Sequence, residues 1–578
     1  MFSKLAAKLL EPVADRIGHY NPQLLREWQG RLRWRNLIIV GILSVAVQGL
    51  LLLQRLAQLP MGKNSQGQYY SQYCVHTEEY DSLCKLGANG LPTIEWTVLW
   101  ADVFRDLSMA MVWVLIVGGV YILAADLSKE NRRGTLNFLR MSPLPGRSIL
   151  IGKVIGVPVL LYLGIGAMLP LHIAMGLMGS YLPTYLLAFY VLLVAIALCF
   201  YAATLWFTLL TKGLQGFQTW LIAGLSLGIL LPAQFMNRSN SFLDWAHYLN
   251  PLHIFASWPV QRVGKEVAWP FNQGLSSGEF RYLGWFYLPM GNHNYWFLGF
   301  AIASALILGL WFWVLLERKF QAPANTAIGK RQSYGLTLYL SLMIMGLSLQ
   351  ELPDKDAPWK TDLWGYLVAM TILGVVLMFL LLPSKQRLLD WARYRHHQPS
   401  RKYSLIADLL CHDGSPLTLA LAVNLGLITV TLLLGIGLHH AIFPLQDETD
   451  LFVGWILISA LLVICSLVVQ WIALSDLLHW RWVAFGTVAA ILLGWPAVLG
   501  MTGVDQYGGA LTYLWLTTLF SAGVVSGVNA GEMGIAIATY MSLISILSFL
   551  LSRRCQILGQ SEWKMLMDGR SRRPQSQA

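Results

Sequence analysis

The chain has 578 residues, of which 56% are hydrophobic and only 12% charged, and its formal net charge is +11. Soluble domains carry about 25% charged residues, whereas apolar runs of about 20 residues, which recur here, have the length that crosses a bilayer as a helix. The composition therefore excludes an ordinary soluble protein and predicts an all-α polytopic membrane protein. Topology and anionic lipid account for the positive charge, so we expect membrane lipid as a partner and no nucleic acid.

The first 36 residues are interrupted by charges and contain no apolar core, which argues against a cleavable signal peptide. Within them, Leu24, Leu25, Trp28 and Leu32 recur at helical spacing. This pattern predicts an amphipathic helix that lies along the cytosolic membrane surface before the first span. An ordinary juxtamembrane anchor would show the same pattern.

Twelve apolar runs are predicted to span the membrane, and their irregular lengths allow a count of eleven to thirteen. They lie near 37–57, 107–125, 148–178, 181–211, 217–236, 293–316, 335–350, 363–383, 416–439, 451–475, 481–500 and 530–552. The run at 511–529 is also apolar, but Gly and Ser interrupt it too often for it to be counted.

The order of these runs predicts two six-helix halves, each with two spans, a long basic stretch and four further spans. Ser142-Pro143-Leu144 and Ser415-Pro416-Leu417 occupy equivalent places 273 residues apart. The predicted organisation is a cytosolic segment at 1–36, a first half at 37–317, a linker at 318–334, a divergent second half at 335–552, and a partly disordered cytosolic tail at 553–578.

Basic and acidic residues separate onto alternate loops. Lys and Arg collect before the first span and in the stretches 129–147, 318–331 and 385–402, whereas the loops between them carry acidic groups such as Glu78, Glu79 and Asp81. An excess of Lys and Arg marks the cytosolic side. We therefore expect a multi-pass protein of the plasma (inner) membrane with both termini in the cytosol.

Two of the six cysteines, Cys74 and Cys84, fall in one water-exposed loop. A disulfide between them is plausible if that loop faces an oxidising compartment, and two unlinked thiols are the alternative.

The segment from Glu130 to Lys153 reads ENRRGTLNFLRMSPLPGRSILIGK and lies between two apolar runs. Its apolar side chains can gather on one face of a short helix, predicted at 128–142, which Pro143 and Pro145 must end. An interfacial loop whose arginines only follow the topology rule is the simpler alternative.

The order E-x-x-x-G-T-L, then S-P-L, then I-L-x-G-K resembles the cytosolic loop of type-2 ABC exporter permeases. In that family this segment forms the coupling helix, which sits in a groove of the ATPase subunit. The resemblance implies ATPase contacts for Glu130, Arg132, Arg133, Gly134, Thr135, Leu136, Phe138, Leu139, Arg140, Ser142, Pro143 and Leu144. It also implies that the N-terminal helix is the family's elbow helix, formed with Asn21, Pro22, Leu25, Trp28, Arg31 and Arg33.

The second half departs from this pattern. Its basic stretch at 384–415 lacks E-x-x-x-G-T-L, so whether it engages an ATPase is left open. The resemblance covers residues 1–320 by motif and 330–578 only by the order of spans.

No phosphate-binding loop of the type G-x-x-x-x-G-K-[ST] occurs, because Gly152-Lys153 is followed by Val154. We therefore expect no cofactor, metal or catalytic site on this chain, and assign ATP-Mg to a separate ABC ATPase dimer. His172, within a span, is expected to pack between helices. His439 and His440, with acidic residues 447, 448 and 450 nearby, are the one set that an enzyme could use.

These features predict the permease subunit of an ATP-driven exporter that works by alternating access on a lipid, glycolipid or hydrophobic drug. The alternatives are a membrane enzyme acting on a lipid-linked substrate and a secondary transporter, although mid-span carboxylates are scarce.

Overall fold

The computed structural model describes residues 16–60, 69, 71–75, 84–211, 214, 216–231, 242–253, 261–262, 265–266, 284–288, 290, 294–350, 363–397, 405–442, 448–475, 477, 479–504 and 511–559. The acidic loop residues Glu78, Glu79, Asp81 and Asp447, residues 1–15 and the tail beyond 559 lie outside these ranges. The described chain is helical apart from one pair of two-residue antiparallel strands, β1 (Gln261–Arg262) and β2 (Lys265–Glu266). The contacts divide it into two compact units.

The first unit comprises Met1–Ser239, Leu243–Leu283 and Pro289–Gln321. Its helices are α1 (Pro22–Arg31), α2 (Trp34–Leu56), α3 (Trp96–Val112), α4 (Gly119–Arg133), α5 (Thr135–Met141), α6 (Gly146–Gly156), α7 (Val159–Met178), α8 (Pro183–Leu210), α9 (Phe217–Leu230), the single turn α10 (Trp245–Tyr248) and α11 (Asn294–Gln321). A π-helical segment, Trp113–Gly118, joins α3 to α4 without interruption.

The second unit comprises Asn240–Phe242, Gly284–Leu288 and Ala322–Ala578. Its helices are α12 (Lys330–Ser348), α13 (Leu363–Leu380), α14 (Lys385–His397), α15 (Leu405–Cys411), α16 (Thr418–Ile442), α17 (Glu448–Ala473), α18 (Trp480–Ala489), α19 (Trp495–Met501), the single turn α20 (Ser521–Val524) and α21 (Ala530–Gly559). A second π-helical segment, Ala490–Gly494, lies between α18 and α19.

Ten helices in the described ranges are long and apolar enough to cross a membrane, so the prediction of an all-α polytopic membrane protein is confirmed. The two other predicted spans also fold as helices. They are α9, which has 14 residues, and α12, which has 19. The second span begins at Trp96 rather than near 107, because Asp102, Arg105 and Asp106 pair with partners inside the unit and do not end the helix.

In the first unit, α8 forms the centre and packs along α11 on one side and α4 on another. By contrast, only 6% of the apolar window of α2 is buried. A helix that is apolar on all sides and unburied by protein has the surface of a lipid-facing span. α2 contacts α7 and α3, and Ser44 Oγ donates a hydrogen bond of 3.0 Å to the Gly164 carbonyl.

In the second unit, α17 is the most enclosed span and packs against α16, α18 and α21. The polar helix α14 lies along α21. A buried cluster that contains Leu388, Leu467, Leu474 and Leu551 joins α14, α17 and α21.

Candidate partner-coupling surface

The predicted coupling segment is not one helix over 128–142 but two helices that meet at Gly134. Gly134 has φ +73°, a left-handed conformation that costs an L-residue about 1–2 kcal/mol. Thr135 Oγ1 then donates to the Glu130 carbonyl at 3.2 Å, which satisfies one acceptor at the end of α4. The chain therefore turns sharply between α4 and α5 at the one residue type that suits the turn.

Helix α5 separates its apolar side chains onto two faces. Leu136 and Leu139 are buried within the first unit, whereas Phe138 is 72% and Met141 79% exposed. Ser142 Oγ donates to the Leu139 carbonyl at 2.7 Å, and Pro143 and Pro145 follow. The helix therefore ends after two turns and leaves an exposed apolar pair on a short, anchored element.

Beside α5, Glu130 belongs to a buried charge cluster rather than to the surface. The fully buried Lys153 Nζ lies 2.8 Å from Glu130 Oε2, 2.8 Å from Asp126 Oδ2 and 3.7 Å from Glu27 Oε1. A buried ammonium is tolerated when carboxylates surround it in this way. We call these residues, together with Arg31, the inner charge cluster.

Arg31 closes the inner charge cluster from α1. Its Nη2 lies 2.7 Å from Asp126 Oδ1 and 3.2 Å from Glu27 Oε2. Glu27, Asp126 and Glu130 bring their carboxylates close enough to hold a metal ion, but the Lys153 ammonium and the Arg31 guanidinium already supply positive charge there. The cluster therefore ties the elbow helix α1 to α4 and α6.

The closeness of α1 to α6 explains the glycine of the I-L-x-G-K motif. A Cβ on Gly152 would lie 2.9 Å from Asn21 Oδ1 and 3.0 Å from the Leu24 nitrogen. Asn21 caps α1 by accepting from Leu24 N at 3.0 Å, and its Nδ2 donates to the Ser148 carbonyl at 2.8 Å. Gly152 thus gives the elbow helix room to approach, and Lys153 binds its carboxylate.

Helix α1 lies within the predicted N-terminal amphipathic segment, with Pro22 in its first turn. Its most buried side chains are the polar Gln23 and Glu27, whereas Leu25 and Trp28 are half-buried. The apolar spacing alone did not predict this polar face. The sequence feature that could have predicted it is the placement of Glu27 four residues before Arg31, where the two side chains can pair on one helical face.

The remaining predicted contact residues divide by exposure. Arg132, Arg133 and Pro143 are exposed, and Leu144 is half-buried. Arg33 is also exposed. Arg140 is half-buried over the Phe320 ring, 5.4 Å from its centroid, and burial lowers the pKa of its guanidinium.

A second ion cluster lies at the opposite end of the continuous α3–α4 span, and it was not predicted from the sequence. Arg55 forms a bidentate pair with Asp106 at 2.5 and 2.7 Å, and Arg105 lies 3.2 Å from Asp102. Tyr73 donates to Asp102 at 3.0 Å, and burial, with the Asp102 charge, raises the pKa of Tyr73 to about 12. The spacing of 102, 105 and 106 on one helical face was the available signal.

Next to Tyr73, Cys74 and Cys84 form a disulfide, so the structure has the first of the two states that the sequence left open. The bridge joins the two described ends of a loop whose residues 76–83 lie outside the described ranges.

In the second unit, the described residues of the stretch at 384–415 include two helices, α14 and α15. Arg395 of α14 lies 2.9 Å from Asp408 of α15. Lys330 Nζ donates to the carbonyls of Leu409 and Pro416 at 2.7 and 2.8 Å. α15 is thereby fixed to the start of α12, and its Ile406 is 63% exposed.

The histidines lie in hydrogen-bonded positions. His172 is buried, with one ring nitrogen 2.7 Å from Ser108 Oγ and the other 2.7 Å from the Tyr190 hydroxyl. His439 Nδ1 lies 2.8 Å from the Tyr287 hydroxyl. These contacts describe packing histidines, and Asp447 of the possible enzyme set lies outside the described residues.

Comparison with known proteins gives one finding. The family described as ABC-2 type transporter matches residues 24–258, from the elbow helix to beyond α10. No curated protein and no solved structure matches the chain.

Proposed function

We propose that this chain is the permease subunit of an ATP-driven exporter, because residues 24–258 match the ABC-2 type transporter family and the described helices are those of a polytopic membrane protein. The proposal places it in the plasma (inner) membrane with both termini in the cytosol. An ABC ATPase dimer binds ATP-Mg and docks on the cytosolic side. The cargo is a lipid, a glycolipid or a hydrophobic drug.

The observation that carries this proposal is the exposed pair Phe138 and Met141 on α5. Large apolar side chains that are more than two thirds exposed on a water-facing helix indicate a contact surface. Arg132 and Arg133 are exposed beside them. An apolar anchor with a basic rim suits a groove on a protein partner.

The side chains that hold α5 have a different part in the proposal. Leu136, Leu139 and Glu130 are buried in the first unit, so they are unavailable to an ATPase and transmit its motion instead. A push on α5 would reach α4 across the Gly134 turn, and α1 and α6 through the inner charge cluster. Because packed cores deform little, such a displacement is expected to tilt the attached spans.

The test places a photoactivatable amino acid at position 138 of the full chain in its native cells. After irradiation, mass spectrometry identifies the cross-linked protein, and we expect an ATPase of the ABC class. The matched control carries the same group at Leu91, which is 61% exposed in the loop beside the disulfide. An equal yield of this ATPase at both positions, or none at 138, would overturn the proposal.

A further inference from the structure

The first unit contains an apolar cavity of about 580 Å³ between α3, α6, α7 and α8. Its wall includes Leu115 of the π-helical segment, Tyr162 and Gly166 of α7, and Leu193, Val194 and Tyr201 of α8. Ligand sites commonly have volumes of 300–1,000 Å³. The size is therefore that of a site for a molecule or a chain rather than a packing defect.

The polar atoms of this wall are already engaged. Tyr162 donates to the Val154 carbonyl at 2.8 Å, and Tyr201 donates to the Leu115 carbonyl at 2.6 Å. The Tyr190 hydroxyl is paired with His172 at 2.7 Å. An occupant of the cavity therefore meets hydrocarbon and ring faces, which suit an alkyl chain and provide nothing for a polar head group.

The cavity is also long and continues onto the lipid-facing surface. Its wall extends from Val154 to Ile173, which at about 1.5 Å per helical residue is most of the hydrocarbon thickness. Val194 is 54% exposed. A second apolar groove of about 360 Å³, which reaches Ile302 and Leu306 of α11, shares Tyr190, Val194 and Leu198 with the cavity.

We propose that this cavity is a binding site for an acyl chain of a membrane phospholipid, held against the π-helical segment of the span that leads to α5. The surrounding bilayer supplies the occupant, and the adjoining groove across α8 is placed to take the second chain of the same lipid. π-Helical segments inside α-helices are frequent at functional sites. Here, Leu115 contributes both a wall side chain and the carbonyl that Tyr201 binds.

The test uses the full chain, without an ATPase, in maltoside detergent micelles free of phospholipid. A phosphatidylethanolamine with a diazirine in one acyl chain is added in rising amounts and photolysed, and the labelled peptides are mapped. We expect labelling around Leu193 and Val194 to saturate. Labelling of exposed Ile42 and Leu43 on α2 should grow in proportion to the probe, as for any lipid-facing surface.

Two glycines provide a matched pair of variants. A Cβ on Gly166 or on Gly224 meets nothing within 4 Å, but only Gly166 lines the cavity. Gly166→Leu should abolish the saturable labelling and leave that of α2, whereas Gly224→Leu should leave both. Val194→Trp fills the cavity from an exposed position and serves if Gly166→Leu does not fold.

Cavity labelling that grows linearly like that of α2, or that survives both filling variants, would overturn the site. Saturable labelling that an excess of unlabelled phospholipid does not compete away would also overturn it, in favour of another apolar ligand. Because no ATPase is present, either result leaves the permease proposal standing.

Discussion

Lys153 shows how one residue can connect three helices. Its ammonium is fully buried and lies within 3.7 Å of carboxylates from α1 and α4, while it belongs to α6. Such groups stabilise a fold less by their net attraction than by the cost of leaving any one of them unpaired. Glu130, the first residue of the recognised motif, is therefore tied to Lys153, the last.

We predict that Lys153→Met strongly destabilises the first unit, because three carboxylates would then share one guanidinium. Removing one partner of a buried pair costs about 3–5 kcal/mol, which should appear as a large drop in the thermal unfolding midpoint of the full chain in detergent. The control is Lys129→Met, since Lys129 is exposed on α4 next to Glu130.

Adding Glu130→Gln to Lys153→Met should recover part of the lost stability, because it removes one of the uncompensated charges. Equal midpoints for the two single lysine variants, or no recovery in the double variant, would contradict the role given to the inner charge cluster.

Among the ten long apolar helices of the described ranges, α2 has the smallest buried share. Its polar attachments include Ser44 to α7 and Arg55 to Asp106 of α3. The bidentate pair with Asp106 holds the end of α2 that is remote from α5. Guanidinium–carboxylate pairs of this kind fix geometry as well as contributing energy.

Asp106→Asn should therefore loosen the last turns of α2 without unfolding the unit. Amide hydrogen exchange in Leu50–Leu56, followed in detergent, should become faster. Glu95→Gln removes the same charge at the start of α3 and should leave that exchange unchanged. Unaltered exchange in Asp106→Asn would show that apolar packing alone holds this end.

The start of α3 also shows what hydropathy could not predict. Asp102, Arg105 and Asp106 lower the apolar score of the segment, so the sequence placed the span near 107, although the helix starts at Trp96. Arg55 pairs with Asp106, and Arg105 donates a hydrogen bond to the Tyr181 hydroxyl, so these charges find partners from distant parts of the chain. The end of α5 was predicted because Pro143 and Pro145 mark it locally, whereas the break at Gly134 was not predicted.

At the scale of the whole molecule, each unit has a short helix that follows its second predicted span, and the two helices are held differently. In the first, two adjacent helices meet at Gly134 above the inner charge cluster. In the second, α14 packs on α21, and Lys330 holds α15 through backbone carbonyls. The sequence predicted the asymmetry from the missing motif, but it could not predict that each unit exposes apolar side chains on a short helix.

We predict that the ATPase contacts the first unit more closely. A photoactivatable amino acid at Ile406 of α15 should yield less of the ATPase adduct than the same group at Phe138, compared by mass spectrometry under identical irradiation. Both native side chains are more than 60% exposed, so accessibility does not explain a difference. Equal yields would indicate two equivalent docking surfaces.

The inner charge cluster also constrains how the sequence can change over time. Its three carboxylates share two cations, so a neutral replacement of either cation leaves carboxylates without enough positive charge around them. Substitutions at positions 27, 31, 126, 130 and 153 should therefore co-vary among related sequences, whereas the exposed positions of α2 should vary freely among apolar residues. Five positions spread over more than a hundred residues of chain would then change as one unit in evolution.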